Sequence, residues 1–173
     1  MTRRLLGGML VVLLVSGVAS AQTPTDPMAG LSEIRVAIGS GCGVPDGASP
    51  SLAYALRRPD VVPDAIQTQI ELEIRRSTSL RIVSNSATTL RVICTVTDMS
   101  DDNVHGIVVD TTLSLRDVVR IVRNGVLLDT MVWQGKQMTS WGPVDITIAK
   151  RPSTVDLLLK EFLNEYLAAN PRK

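Results

Sequence analysis

The sequence has few of the residues from which many active sites are built. Among its 173 residues are one histidine and two cysteines, and aromatic residues make up 3%. A metal site built on several imidazoles is therefore excluded, and a serine–histidine–aspartate triad has only His105 as its base. Beside it, Asp101 and Asp102 lack the spacing and the closing glutamate of a calcium loop, so a polar turn explains them better.

Motifs for binding phosphate or activating a nucleophile are incomplete. The segment from Gly39 to Gly43 follows a predicted strand, but Val44 stands where a dinucleotide fingerprint needs its third glycine. There is no Gly-Lys-Ser or Gly-Lys-Thr of a Walker loop and no Gly-x-Ser-x-Gly elbow. We therefore expect a protein that is not an enzyme and holds no metal or cofactor.

The charge balance also narrows the range of partners. The chain has 18 Lys+Arg against 17 Asp+Glu, and loss of Arg3 and Arg4 with the N-terminal segment would leave 16 against 17. A domain so close to neutral gives no electrostatic reason to expect nucleic acid or an anionic membrane surface. After residue 21, no apolar run approaches the roughly 20 residues of a membrane span, so we expect no transmembrane segment in the mature chain.

The first 21 residues have the order of a cleavable secretory signal. Arg3 and Arg4 precede an apolar run, and Ala19-Ser20-Ala21 supplies the small residues that a signal peptidase reads. The product is therefore expected in the periplasm of a diderm bacterium, or outside the cell otherwise. No cysteine stands at the cleavage site, so a lipid-modified N-terminus is not expected. Residues 22–32 are interpreted as a flexible lead-in, and residues 33–170 as one domain.

The pattern of apolar residues predicts an α+β fold. We expect a mostly antiparallel or mixed sheet of about five to six strands, with two helices packed on one face. The loop from Gly39 to Val62 is long for a connection, with a short helical turn near 52–56. The predicted elements are strands at 34–38, 80–84, 90–97 and 144–149, a hairpin from about 107 to 133, and helices at 63–76 and from Ser153 to about 170.

The strongest local signal is Asn124-Gly125, which is typical of a two-residue type I′ turn. In that register the numbers of facing residues sum to 249. Ile121 then faces Leu128, and Val119 faces Thr130, on the face assigned to the core. On the other face, Arg120 pairs with Asp129. The same register sets Asp117 against Val132 on the core face, a conflict that predicts an end, a bend or a bulge there.

Four residues are candidates for a covalent or binding role. Cys42 and Cys94 suit a disulfide in an oxidising compartment, whereas Cys94 alone also suits a buried strand position; the sequence leaves both open. Trp133 and Trp141 flank a segment predicted as a polar loop, 134–143. They either contact a partner or ligand or close the end of an aromatic-poor core.

The element order resembles that of small bacterial envelope-assembly proteins. The helix 66–76, the strand 80–83, the hairpin turning at 123–125 and the closing helix are similar to those of the LptE family of lipopolysaccharide-assembly lipoproteins and of TolB N-terminal domains. No motif specific to either family is present, and the lipidated cysteine that tethers LptE has no counterpart here.

The resemblance implies a binding module rather than a catalyst. Together with the signal, the predicted fold and the shortage of catalytic groups, it favours an exported, non-catalytic binding or assembly module for another envelope component, through its sheet edge or the Gly39–Val62 loop. Alternatives are a small-ligand site under that loop, with Trp133 or Trp141 as a lid, and a hydrolase that uses scattered carboxylates. Oligomeric state and partner identity are not determined by the sequence.

Overall fold

The computed structural model describes residues 26–99 and 106–171. The predicted signal, residues 1–21, lies outside these ranges, as do Asp101, Asp102 and His105. The strands are β1 (Glu33–Ile38), β2 (Arg81–Ile82), β3 (Thr89–Asp98), β4 (Ile107–Arg120), β5 (Leu127–Gln134) and β6 (Met138–Gly142). The helices are α1 (Pro50–Leu56), α2 (Pro63–Ser77), α3 (Val144–Ala149) and α4 (Arg151–Ala169), with a short 3-10 turn at Ser40–Cys42.

The six described strands form one mixed sheet, so the predicted α+β class is confirmed. Its order is β2-β1-β3-β4-β5, and β6 continues along the same side of β4 as β5. Strand β1 runs parallel to both of its neighbours, β2 and β3, while the other pairs are antiparallel. The strands predicted at 80–84 and 90–97 therefore do not pair with each other, because β2 pairs with β1 instead.

One face of the sheet carries the core. The register aligns Val36, Leu90 and Leu115 in a row across β1, β3 and β4, and all three are buried. The two long helices cover this row: α2 contributes its predicted isoleucine stripe, and α4 contributes Phe162. The helix-packing prediction is confirmed for these two helices, which cover apolar positions spaced two residues apart along each strand.

The shorter helices α1 and α3 extend this layer over the far end of β4. Leu52 and Leu56 of α1 pack with Ile148 of α3 against Ile107 and Val109. Ile107 and Val109 lie an even number of residues before Leu115 on β4, so their side chains point to the same face of the sheet. This second cluster therefore lies on the core face. The opposite face therefore has no helix over it in the described part of the chain, and we call it the bare face.

Two predicted elements were wrong. Residues 138–142, expected in a polar loop, form β6, because they pair with the outer edge of β4. Residues 144–149, expected as an edge strand, form α3: Ile148 is buried while Ile146 is 56% exposed, so the alternating pattern does not mark one face. Helix α4 begins at Arg151 rather than beyond a Ser153 cap, immediately after α3 ends.

The hairpin is present, but its predicted turn and register were wrong. The amide of Ile121 donates to the carbonyl of Val126 at 2.8 Å, so the loop has four residues, 122–125. Only Gly125 has a positive φ there, at +70°, whereas a type I′ turn would also require one at Asn124. Val119 therefore faces Leu128, and the numbers of facing residues sum to 247.

The predicted irregularity is confirmed as a bulge between Leu115 and Arg116. Leu115 faces Trp133 and Arg116 faces Met131, which leaves Val132 as the extra residue on β5. Val132 and Trp133 both pack against the core. Facing residue numbers thus sum to 248 at Leu115 and to 247 from Arg116 to the turn. The bulge also marks the point at which the hairpin leaves the helix layer.

Candidate functional site

Beyond the bulge, the hairpin extends past the rest of the sheet as an apolar arm, residues 118–131. The pairing of β3 with β4 ends at Thr89 opposite Arg116, so the arm contains only β4 and β5. A hairpin of two strands is marginally stable alone in water. Its exposed large apolar side chains are Val118, Val119, Ile121, Val122, Val126, Leu127, Leu128 and Met131.

Both faces of the arm carry exposed apolar side chains. Val119 and Leu128 face each other on the side that continues the core face, and they remain 37% and 45% exposed. Val118, Leu127 and Met131 lie on the other side, at 42%, 59% and 48% exposed. A hairpin that faced water on one side would carry mainly polar residues there, whereas here Arg120 and Asp129 share that side with the three apolar residues. The sequence assigned Val119, Ile121 and Leu128 to the core; this was wrong, because no helix reaches them.

The outer edge of β5 has no neighbour in the described residues. The carbonyl of Val126 accepts from the amide of Ile121 on β4. Backbone groups of successive strand residues point to alternate sides, so those of Leu127 point away from β4, to the open edge. Exposed edges are usually blunted by charge, proline or a bulge within the strand. In β5 the bulge lies at Val132, and between it and the turn Asp129 is the one charged residue; its carboxylate accepts from Nε of Arg116 at 3.0 Å. The predicted pair of Asp129 with Arg120 is therefore replaced by one with Arg116.

A signal for the arm was present in the sequence. Val118-Val119, Ile121-Val122 and Val126-Leu127-Leu128 are apolar runs rather than alternating positions. Runs of this kind are typical of strands that are buried on both faces. The alternate residues of these runs agree with a single core, whereas the runs as a whole do not.

The two cysteines form a disulfide, which settles the alternative left open above. Cys42 is fully buried and Cys94 is 5% exposed, so neither is available as a nucleophile. The glycines before Cys42 serve this junction: the amide of Gly39 donates to the carbonyl of Val92 at 2.8 Å, and a Cβ on Gly41 would lie 2.3 Å from the carbonyl oxygen of Cys94. Close backbone approach therefore accounts for these two glycines without a phosphate site.

The two tryptophans lie on opposite faces of the sheet and form no common site. Trp133 packs edge-on against Phe162 at 5.4 Å, and its Nε1 donates to Glu165 at 2.6 Å, which closes one end of the core. Trp141 faces Val108 on the bare face and is 79% exposed. Neither lies over the Gly39–Val62 segment, whose apolar side chains Leu52 and Leu56 are themselves buried.

A buried arginine beside the disulfide has no signature in the sequence. Arg151 is 2% exposed, and its Nη1 donates to the carbonyl of Cys42 at 2.7 Å. Its Nε and Nη2 have no partner among the described residues. Burial lowers the pKa of this guanidinium from its ordinary value to about 10. An arginine at the start of a helix is normally solvated, so only the packed structure identifies this one.

Over the described ranges, side chains do not converge into a metal centre, because no group of three or more histidine, cysteine or acidic residues has the required proximity. Nor is any described helix long and apolar enough to cross a bilayer. The most distinctive surface of the described residues is the apolar arm, with its eight exposed apolar side chains.

No protein-family model and no curated protein sequence match the chain. Among solved structures, it is similar to a minor lipoprotein from Acinetobacter baumannii, with 12% identity over 81% of this chain and 93% of that chain, at a TM-score of 0.38. It is also similar to PelC from Paraburkholderia phytofirmans, solved as a dodecamer, with 17% identity over 82% of this chain and 92% of that chain, at a TM-score of 0.37. At these values the similarity assigns neither a function nor a residue role.

Proposed function

We propose that this protein is an exported, non-catalytic binding module that attaches to another envelope protein through its apolar arm. The observation that carries the proposal is the exposure of apolar side chains on both faces of residues 118–131. A continuous group of exposed apolar side chains is typical of interaction sites, because leaving them in water is unfavourable. The predicted signal and the disulfide support export, since disulfides persist in oxidising compartments.

A protein strand suits the arm better than lipid does. The outer edge of β5 needs hydrogen-bond partners for its backbone groups, and hydrocarbon supplies none. A partner strand added to β5 would bond to its backbone and continue the sheet, so that the layers of the partner on either side of that strand could pack over the apolar side chains. We therefore assign the occupant as an edge strand of another envelope protein.

The proposal is tested by placing a photo-crosslinking amino acid at Val122, which is 99% exposed at the arm tip, in the native host. The same label at Tyr54, which is 76% exposed on α1, is the positional control. We expect a discrete adduct from Val122 and none from Tyr54. Mass spectrometry should place the crosslink in a β-strand of a different exported protein.

Substitution tests whether the apolar side chains are the cause. Leu127→Ser with Leu128→Ser removes one apolar group from each face of the arm and should abolish the adduct. The matched control, Leu72→Ser with Leu157→Ser, changes leucines of similar exposure on α2 and α4: 47% and 54% against 59% and 45%. It should leave the adduct intact, and thermal melts should show both variants folded.

Three outcomes would overturn the proposal. The first is equal labelling from Val122 and Tyr54, and the second is equal loss of the adduct in the two double variants. The third is an adduct of twice the mass of the chain, which would assign the arm to self-assembly rather than to a different protein.

A further inference from the structure

The bare face of the sheet carries a groove lined by three arginines. The register places Arg35 of β1, Thr89 of β3 and Arg116 of β4 in one row across the strands. Arg91 lies two positions further along β3, next to Ala37. The groove between these side chains has a volume of about 420 Å³ and opens to solvent.

The positive charge in this groove is only partly neutralised. Arg116 pairs with Asp129 at 3.0 Å. Arg35 donates from Nη2 to the hydroxyl of Thr89 at 3.1 Å, and neither it nor Arg91 forms an ion pair within the described ranges. Three guanidinium groups and one carboxylate therefore leave two positive charges on adjacent strands.

Small residues keep the groove open between the guanidinium groups. Ala37, Ser86 and Ala87 line it, so no large side chain fills the space. Like charges at neighbouring positions of a sheet repel and destabilise it. An anion between Arg35 and Arg91 would reverse the sign of that interaction, because each guanidinium would then face an opposite charge.

We propose that this groove binds a small ligand through an oxyanion, a phosphate or carboxylate group, with Arg35 and Arg91 as its main donors. The planar guanidinium donates two parallel hydrogen bonds to either group. Ligand sites range from about 300 to 1,000 Å³, so the groove accommodates a ligand of monosaccharide size. This site goes beyond the arm, which contributes only Val118 and Asp129 to the groove.

The test is titration of the full mature chain with inorganic phosphate, glucuronic acid and glucose, followed through the backbone amides of Ala37 and Thr89 by NMR. We expect saturable shifts with phosphate, glucuronic acid or both, and none with neutral glucose. Added sodium chloride should weaken the binding, because the charges are exposed. Saturation by phosphate alone assigns a phosphate-bearing ligand, and saturation by glucuronic acid alone assigns a carboxylate-bearing one.

Charge-matched variants separate a built site from general surface charge. Arg35→Gln with Arg91→Gln should raise the dissociation constant at least about tenfold, since charge-assisted hydrogen bonds are lost. Arg57→Gln with Arg76→Gln removes the same charge from exposed positions outside both the groove and the arm and should leave the constant unchanged. Linear shifts without saturation from both anions, equal weakening in the two double variants, or an equal response to glucose would overturn the proposal.

Discussion

Removal of the Cys42–Cys94 disulfide should cost this protein a large share of its stability. The bridge joins the turn after β1 to the middle of β3, at a sequence separation of 52. It therefore closes a loop that contains α1, α2 and β2. In the chain-entropy model, a loop of this length contributes about 4 kcal/mol. A typical domain has only about 5–15 kcal/mol in total, so the reduced protein should be marginal.

Urea unfolding of the oxidised and reduced protein measures this contribution directly. With a slope of about 2 kcal/mol per molar urea, the midpoint should fall by about 2 M on reduction. Cys42→Ala with Cys94→Ala is the second comparison: its midpoint should be no higher than that of the reduced wild type, because it also loses buried sulfur atoms. Burial of Cys42 should make reduction of the native protein slow.

Two results would refute this reasoning. If the oxidised and reduced proteins have the same midpoint, the bridge does not constrain the unfolded chain in the way the loop length requires. If the unfolded, unreduced protein is alkylated at both cysteines, the bridge is absent from the native molecule. Mass spectrometry distinguishes the two cases.

Three further changes test other contacts of the fold. Gly41→Ala places a methyl group 2.3 Å from a carbonyl oxygen of β3, so urea unfolding should show a loss of about 1–3 kcal/mol in stability. Gly43→Ala is the control: its nearest contact would be at 3.4 Å, so its loss of stability should be smaller. Arg151→Met removes a buried, partly unpartnered charge but leaves the carbonyl of Cys42 without its donor, which costs about 1–3 kcal/mol; the two effects should nearly cancel in thermal melting, and a loss above about 3 kcal/mol would contradict this. The pKa of Asp110 is lowered from 3.8, chiefly by the hydroxyl of Thr139. The stability that this shift contributes is therefore present above pH 3.8 and is lost as the pH falls through the pKa of the folded state. Thr139→Val should reduce this loss of unfolding free energy at acid pH.

The sequence by itself determined the fold class and most of the covered face. Ile66, Ile70 and Ile74 recur at helical spacing, and Leu90, Val92 and Cys94 recur at strand spacing, so each element identifies its own buried side. The conflict between Asp117 and Val132 even located the bulge. These inferences succeeded because they depend on residues close together in the chain.

The sequence could not predict which partner each apolar residue meets. Val144, Ile146 and Ile148 have strand spacing, yet they form α3, because that helix packs Ile148 against β4. Val119 and Leu128 have the pattern of core residues, yet they stay exposed, because the helix layer ends before them. An alternating pattern indicates which side of a strand is apolar, but it does not predict which element covers that side.

Both proposed sites also depend on contacts that the sequence could not predict. Arg35, Arg91 and Arg116 are dispersed over three strands, and only the register of the mixed sheet brings them to one groove. The arm arises because β4 is longer than the neighbour that pairs with it on its inner side. Local spacing thus determined the elements and their apolar sides, whereas strand order and relative length decided which surfaces were left uncovered, because these depend on contacts between residues far apart in the chain.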